Sequence, residues 1–359
     1  MSVQGVRGKE TAQPSLGRRF VRELFGRYGL VVAWAFLILI FGLLRPDTFL
    51  TLTNLQTNLG SQAVLLIVTL SLLVPLTAGE LDLSIAGVLS FCVVTLGYLN
   101  VEQGWPIGWA ILAVLAAGLI IGLIHSALIV GLGLDSIVIT LGTGTLLTGL
   151  GFGINNVAIA GISPTLVDAA RNELFGVPLA FYYALALTIF IWYLFTYTPF
   201  GRYLFFVGAG REVARLGGVR VNRIRSISLI SSSFGTAFGA VVMVGVLGAS
   251  DPTVGQNYLL PVFAGAFLGS TAVRPGRFNA WGTFIAVYFL ITGISGLQLV
   301  GLAGWVEQVF YGGSLVVAVA ASALVSRARL HLTERRARRR GNTPPAQPAE
   351  AAGVIGGQP

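Results

Sequence analysis

The chain has 359 residues, 55% of them hydrophobic and only 10% charged, with a formal net charge of +9. An ordinary soluble domain carries roughly 25% charged residues, so composition excludes one and indicates a single integral membrane domain. The lone Cys92 excludes an intrachain disulfide, and His125 and His331 are too far apart in sequence for a His/Cys metal cluster.

In chain order, residues 1–27 form a polar, basic, cytoplasmic N-terminal segment with Arg7, Lys9, Arg18, Arg19, Arg22 and Arg27. Residues 28–44 are apolar and end in Leu-Leu-Arg-Pro, not in a small-residue cleavage site, so they predict an uncleaved first helix. At about 1.5 Å per residue this run is just adequate for about 30 Å of hydrocarbon. After a polar connector, apolar runs follow at 62–78, 83–99, 106–130, 136–154, 179–196, 227–247, 258–272, 279–297 and 303–325. The expected fold is all-α: a polytopic transmembrane helical bundle of about ten helices, with the membrane domain at 28–326. Run 258–272 is short and reads equally as a re-entrant or broken helix. Gly142, Gly144, Gly149, Gly151 and Gly153 are expected to let neighbouring helices approach closely. His125, in an apolar run, reads as a core histidine satisfied by hydrogen bonds, and Cys92 as a small buried side chain.

Basic residues orient the bundle. With both termini cytoplasmic, the inner regions collect 21 of the 23 Lys and Arg, and only Arg45 and Arg171 fall outside. The sequence pI of about 10.2 therefore reports topology and a lipid surface, not a nucleic-acid partner. The tail, residues 327–359, is basic at Arg335–Arg340, where it can hold anionic lipid heads, and then Pro- and Ala-rich, which predicts disorder. Outside, residues 155–178 and 249–257 are long enough to dock an external partner, or are plain solvated connectors.

Two stretches break the apolar pattern. Residues 75–87 place Glu80 and Asp82 within 39 residues (61–99) that are otherwise uncharged. An ionised carboxylate at mid-membrane costs about 2.5–3.5 kcal/mol unless it finds water or a partner. Gly79, Glu80, Asp82 and Ser84 are therefore the candidate broken-helix joint, with Asp82 placed to cap a helix starting at Leu83. The second stretch is the cytoplasmic loop 197–226. There Arg211, Glu212, Val213, Ala214, Arg215 and Leu216 predict one to two helical turns, with Gly208 and Gly210 ending the preceding element and Gly217 and Gly218 supplying a left-handed stop. A helix this short needs something to pack on, which favours a cytoplasmic partner over a simple anchor lying on the lipid surface. The only lysine, Lys9, precedes Glu10, so no phosphate-binding Gly-Lys-Ser/Thr loop exists and any ATP motor must be a separate chain.

Together these stretches resemble the permease subunits of ABC importers for monosaccharides, the ribose, xylose and galactose type. Gly79-Glu-Leu-Asp-Leu-Ser84 is similar to that family's Gly-(Glu)-Ile-Asp-Leu-Ser segment. Gly201-Arg202, then Gly208 followed by Ala214-Arg215-Leu216 and Gly218-Val219, is similar to its cytoplasmic coupling loop. Leu141-Gly142-Thr143 and Pro252-Thr253-x-Gly255-x-x-Tyr258 match further positions, so the likeness runs from about residue 47 to 321. Ala86 stands where the family usually has Gly, and Leu260-Pro261 replaces an acidic stretch.

The resemblance implies a transport subunit of the bacterial plasma (inner) membrane, not an enzyme, with no cofactor of its own. It also implies cytoplasmic ABC ATPase subunits that grip residues 211–218, an external solute-binding protein, and a second permease copy or relative as partners. The alternative is an ion- or proton-coupled secondary transporter, for which a broken helix pair around Glu80 would also serve. A membrane enzyme finds no support, since neither HExxH nor G-x-S-x-G occurs.

Overall fold

In a bilayer no water satisfies exposed backbone, so each apolar run must pair its own N–H and C=O groups as helix. The structure, a computed structural model, describes residues 16–302 and 304–320, with side chains from Tyr28 onward. The start of the N-terminal segment and the basic tail, residues 1–15 and 321–359, lie outside the described residues. α1 (Leu16–Leu44) starts ahead of the apolar run, and the short α2 (Pro46–Phe49) and α3 (Leu52–Ser61) follow it. Next come α4 (Ala63–Thr77), α5 (Ile85–Gly97), α6 (Ile107–His125), α7 (Ser136–Ile154), α8 (Pro164–Arg171) and α9 (Leu179–Tyr197). The second half holds α10 (Pro199–Ala209), α11 (Arg211–Leu216), α12 (Val221–Leu247), α13 (Leu259–Gly269), α14 (Ala280–Leu299) and α15 (Trp305–Ala320). Two antiparallel pairs of two-residue strands complete it: β1 (Ile159–Ala160) with β4 (Ala249–Ser250), and β2 (Glu173–Leu174) with β3 (Val177–Pro178).

Among the described residues six stretches are long and apolar enough to cross a membrane, or seven if α3 and α4, bent by 40°, are one span. Tyr28–Leu44 and Trp305–Ala320 are shorter apolar helices. α13 has 11 residues, about 16 Å at 1.5 Å per residue, too short to cross about 30 Å alone. Of the ten expected runs, 258–272 forms a helix too short to span, whereas the first and last runs reach the limits of the described residues.

α4 is the centre of the bundle. All its residues from Ala63 to Thr77 are buried, and it packs on α9, α12, α13 and α14. Its buried hydroxyls donate back along the same helix, Thr69 to Leu65 O, Ser71 to Ile67 O and Thr77 to Leu73 O, so none is left unpaired. α12 crosses α4, α5 and α6. α6 and α7 lie outside and expose Trp109, Leu112, Ile120, Val138, Leu141 and Leu146. Such a surface would aggregate in water but suits lipid. The glycines of α7 divide accordingly. A Cβ on Gly144 would meet Leu83 and Ser84 just ahead of α5 and one on Gly151 would meet Phe91 of α5, whereas Gly142, Gly149 and Gly153 face open space. Close helix approach therefore accounts for two of the five.

Contacts sort the connecting segments into two ends. Arg211 reaches Glu80, Arg277 lies over the Phe205 ring, and one cavity touches both residue 80 and residues 133–136. The joint and the turns near Asp135, Arg211 and Arg277 therefore share one end. These are the described regions that the basic-residue count places inside. At the other end β1 pairs with β4, Ser163 N–H donates to Asn100 Oδ1, and α8 packs on α12.

Candidate functional site

The site is built where α4 stops. Gly79 takes a left-handed φ of 78°, which a glycine adopts without steric cost, and the chain runs non-helically to Ser84 before α5 starts at Ile85. Glu80 is 1% exposed, yet it is not alone. Its Oε1 accepts from Arg211 Nη2 at 2.7 Å and from Arg225 Nε, and the same Arg211 nitrogen donates to Gly79 O at 3.1 Å. Arg211 belongs to α11 and Arg225 to α12, so one carboxylate ties three segments together. An unpaired ion this deeply buried would cost several kcal/mol, which the two arginines on Oε1 offset, while the buried Oε2 has no hydrogen-bond partner among the described residues. Glu80, Asp135, Ser136, Arg211 and Arg225 border a cavity of about 290 Å³.

Asp82 is fully buried and uses neutral donors. Its Oδ1 accepts from Ser84 N–H at 3.0 Å and from Ser84 Oγ–H at 2.5 Å, and its Oδ2 accepts from Ser232 Oγ–H of α12 at 2.7 Å. The expected cap on a helix from Leu83 is replaced by this arrangement. The helix starts two residues later than expected, and Leu83 N–H instead donates to Thr140 Oγ1 of α7 at 3.0 Å. Asp82 thus closes a turn on Ser84 and staples it to α12. Nearby, His125 of α6 meets Thr143 of α7 through Nε2 at 2.8 Å and Ser233 of α12 through Nδ1 at 3.3 Å. It is a satisfied core histidine, as its apolar setting suggests. Among the described residues no group of His, Cys, Asp and Glu could hold a metal ion.

α11 occupies the residues 211–216. Gly217 is its C-cap, with φ of −76°, and Gly218 supplies the left-handed turn at φ of 79°. Ala214 is buried, Glu212 and Arg215 pair at 3.0 Å on the surface, and Val213 and Leu216 are exposed, Leu216 by 89%. The face turned away from the bundle is therefore Glu212, Val213, Arg215 and Leu216, while Arg211 turns inward to Glu80. Gly208 does not terminate α10; it lies inside it. A Cβ there would overlap Thr77 O, so the end of α10 runs directly against the last turn of α4.

The two segments expected outside also have structure. Residues 155–178 contain β1, α8 and the β2–β3 hairpin, and Arg171 Nε donates to Val246 O at 2.8 Å. Sequence reasoning missed Arg225, Ser232 and the packing role of Gly208. Arg225 stood among six arginines of one loop and had no local mark to separate it from its neighbours.

Comparison with known proteins agrees with this layout. A family described as branched-chain amino acid transport system / permease component matches residues 54–319. An autoinducer 2 import system permease protein, LsrD, of Photorhabdus laumondii is 29% identical over 304 residues, covering 82% of this chain and 91% of that protein. The protein of the same name in Klebsiella pneumoniae is 31% identical over 289 residues, covering 79% and 86% respectively. The Salmonella typhimurium protein of that name is 29% identical, with 82% and 91% covered. No solved structure matches significantly.

Proposed function

This chain belongs to the ABC importer permease family that includes the ribose and galactose systems, and from that premise we propose that it forms the translocation pathway for a small, uncharged, hydroxyl-rich solute. As a family member it is a multi-pass membrane transport component, not an enzyme. The solute is a monosaccharide, a related polyol, or the autoinducer 2 after which its relatives are named. The working unit pairs this chain with a second permease copy, two cytoplasmic ATPase subunits and an external solute-binding protein. Both termini are cytoplasmic, and the chain binds no cofactor itself.

The observation that carries this reading is α11. It is a six-residue helix, far too short to be stable alone. It is held to the bundle by buried Ala214 and by Arg211, yet it presents Val213 and Leu216 to the outside. It lies at the end of the bundle that collects the arginines. Exposed apolar side chains at a tip of this kind are suited to an ATPase cleft, and ATP-driven closure of that cleft would shift the bundle between outward and inward access. Ion coupling at the joint is disfavoured, because two arginines already neutralise Glu80 through Oε1, although its buried Oε2 has no hydrogen-bond partner among the described residues, and Asp82 is held by hydroxyls.

The test is co-purification of the chain with candidate ABC ATPase subunits, followed by uptake in proteoliposomes of ribose, xylose, galactose and autoinducer 2. Leu216→Asp should lower ATPase association by about tenfold, as expected for a central apolar anchor, with membrane insertion unchanged. Uphill uptake driven by an ion gradient, with no ATPase present, would overturn the reading.

A further inference from the structure

We propose that Glu80 and Arg211 form a mechanical link by which movement of α11 reaches the broken joint between α4 and α5. This deepens the permease reading and rests on it. The two arginines on Glu80 are not equivalent. The Arg225 side chain is 13% exposed and sits on α12, a central helix of the bundle; that of Arg211 is 44% exposed and sits on the small outlying α11. Arg225 is the fixed anchor and Arg211 the detachable one. If α11 is displaced, Glu80 loses Arg211 but keeps Arg225, so the buried carboxylate is never left alone. The adjoining cavity gives the Arg211 guanidinium room to move. The same side chain also holds Gly79 O, so it grips the joint at backbone and side chain together.

Further contacts extend this connection. Gly208, three residues before Arg211, lies against Thr77 at the end of α4. On the far side of the joint, Asp82 holds Ser232 of α12 and Leu83 N–H holds Thr140 of α7. The joint is therefore tied to α11 through Arg211 and to the bundle interior through Arg225, Ser232 and Thr140. An interaction of this kind biases a two-state element if it differs between the states. Glu80 and Arg211 are positioning residues in this scheme; neither needs to touch solute.

The experiment uses the complete permease–ATPase complex in nanodiscs, with Cys92→Ala and Leu81→Cys introduced so that a membrane-impermeant maleimide reports on the joint. The labelling rate is compared without nucleotide and with ATP plus vanadate. The intact pair should give an ATP-dependent change in rate. Arg211→Ala and Glu80→Gln should each shrink that change by about tenfold, within the span of ordinary coupling energies, while the ATPase still co-purifies. Arg211→Lys, which keeps the charge, should retain most of it; a merely structural role would not make that distinction. Arg211→Ala is the safer variant for folding, since it leaves Glu80 on Arg225. Three results overturn the link: an unchanged response in Arg211→Ala, no ATP-dependent response with the pair intact, or loss of ATPase binding in Arg211→Ala, which would return Arg211 to docking. Absence of any ATPase from the intact complex would instead sink the permease reading itself.

Discussion

The helix breaks at 78–84 and 248–258 contain the same local turn in different surroundings. In Asp82-Leu-Ser84 and in Asp251-Pro-Thr253 an aspartate oxygen accepts from the N–H and the hydroxyl two residues on. Such turns are a common local property of Asp followed at i+2 by Ser or Thr. Beyond the turn the two breaks differ. The first is fully buried at Asp82, adds Ser232 as a third donor, and has Glu80 beside it with two arginines. At the second, Asp251 is half-buried and accepts only within its own turn; a close backbone approach takes the place of charge. Gly255 N–H donates to Ser90 Oγ at 3.1 Å, and a Cβ on Gly255 would overlap Ala86 O of α5. Charged contacts between long side chains can be released and remade, whereas a glycine wedged against backbone has one fit. The comparison therefore assigns motion to the first break and closure to the second.

Gly255→Val should give the largest effect. The obstructing atom is a backbone oxygen of α5, so neither partner can step aside, and a branched side chain there should cost more than about 4 kcal/mol. Loss of monodisperse protein from detergent extracts is the expected readout. If Gly255→Val purifies with unchanged thermal stability, the second break is not a rigid closure and the contrast fails.

How far these sites could be read from the sequence follows the same division. Glu80 and Asp82 stood out because charge in an apolar run is costly, and α11 was legible to the residue from its charge pattern and the glycines after it. Both signals are local. Arg225 and Ser232 lie 145 and 150 residues from the carboxylates they serve, and no local pattern encodes a pairing at that distance. Arg211 was visible but misdirected: a positively charged residue on a short helix expected in the cytoplasm reads as outward-facing until the buried Glu80 is placed within reach. Gly208 was taken for a helix end because glycine usually marks one; only the approach of α4 shows that it is a contact. The expected count of about ten helices depended on run length, and α13 shows that an apolar run can be too short to span.

Asp82→Ala comes next in size. It strips Ser84 and Ser232 of their shared acceptor inside the bundle, and with a typical intramolecular hydrogen bond worth about 1 kcal/mol net, the loss of three should cost about 3 kcal/mol. Asp82→Asn keeps the shape and an acceptor oxygen, so it should lose about half as much. Thermal unfolding in detergent would rank the three proteins. Equal losses for alanine and asparagine would mean that burial of the side chain matters more than its bonds, which would weaken the view of Asp82 as a staple to α12.

Asp251→Ala is the smallest and the most discriminating. It removes the same two-bond turn, at 2.8 and 2.7 Å, from a half-buried position where water can replace what is lost. The expected cost is about 1 kcal/mol or less. The two aspartates differ in burial and in one bond to a serine, so the ratio of their losses measures how much the surroundings add to an identical turn. A loss at Asp251 as large as that at Asp82 would place the energy in the turn itself. It would remove the reason for treating the first break as a specialised joint, and with it the argument that the carboxylates were buried there to be moved.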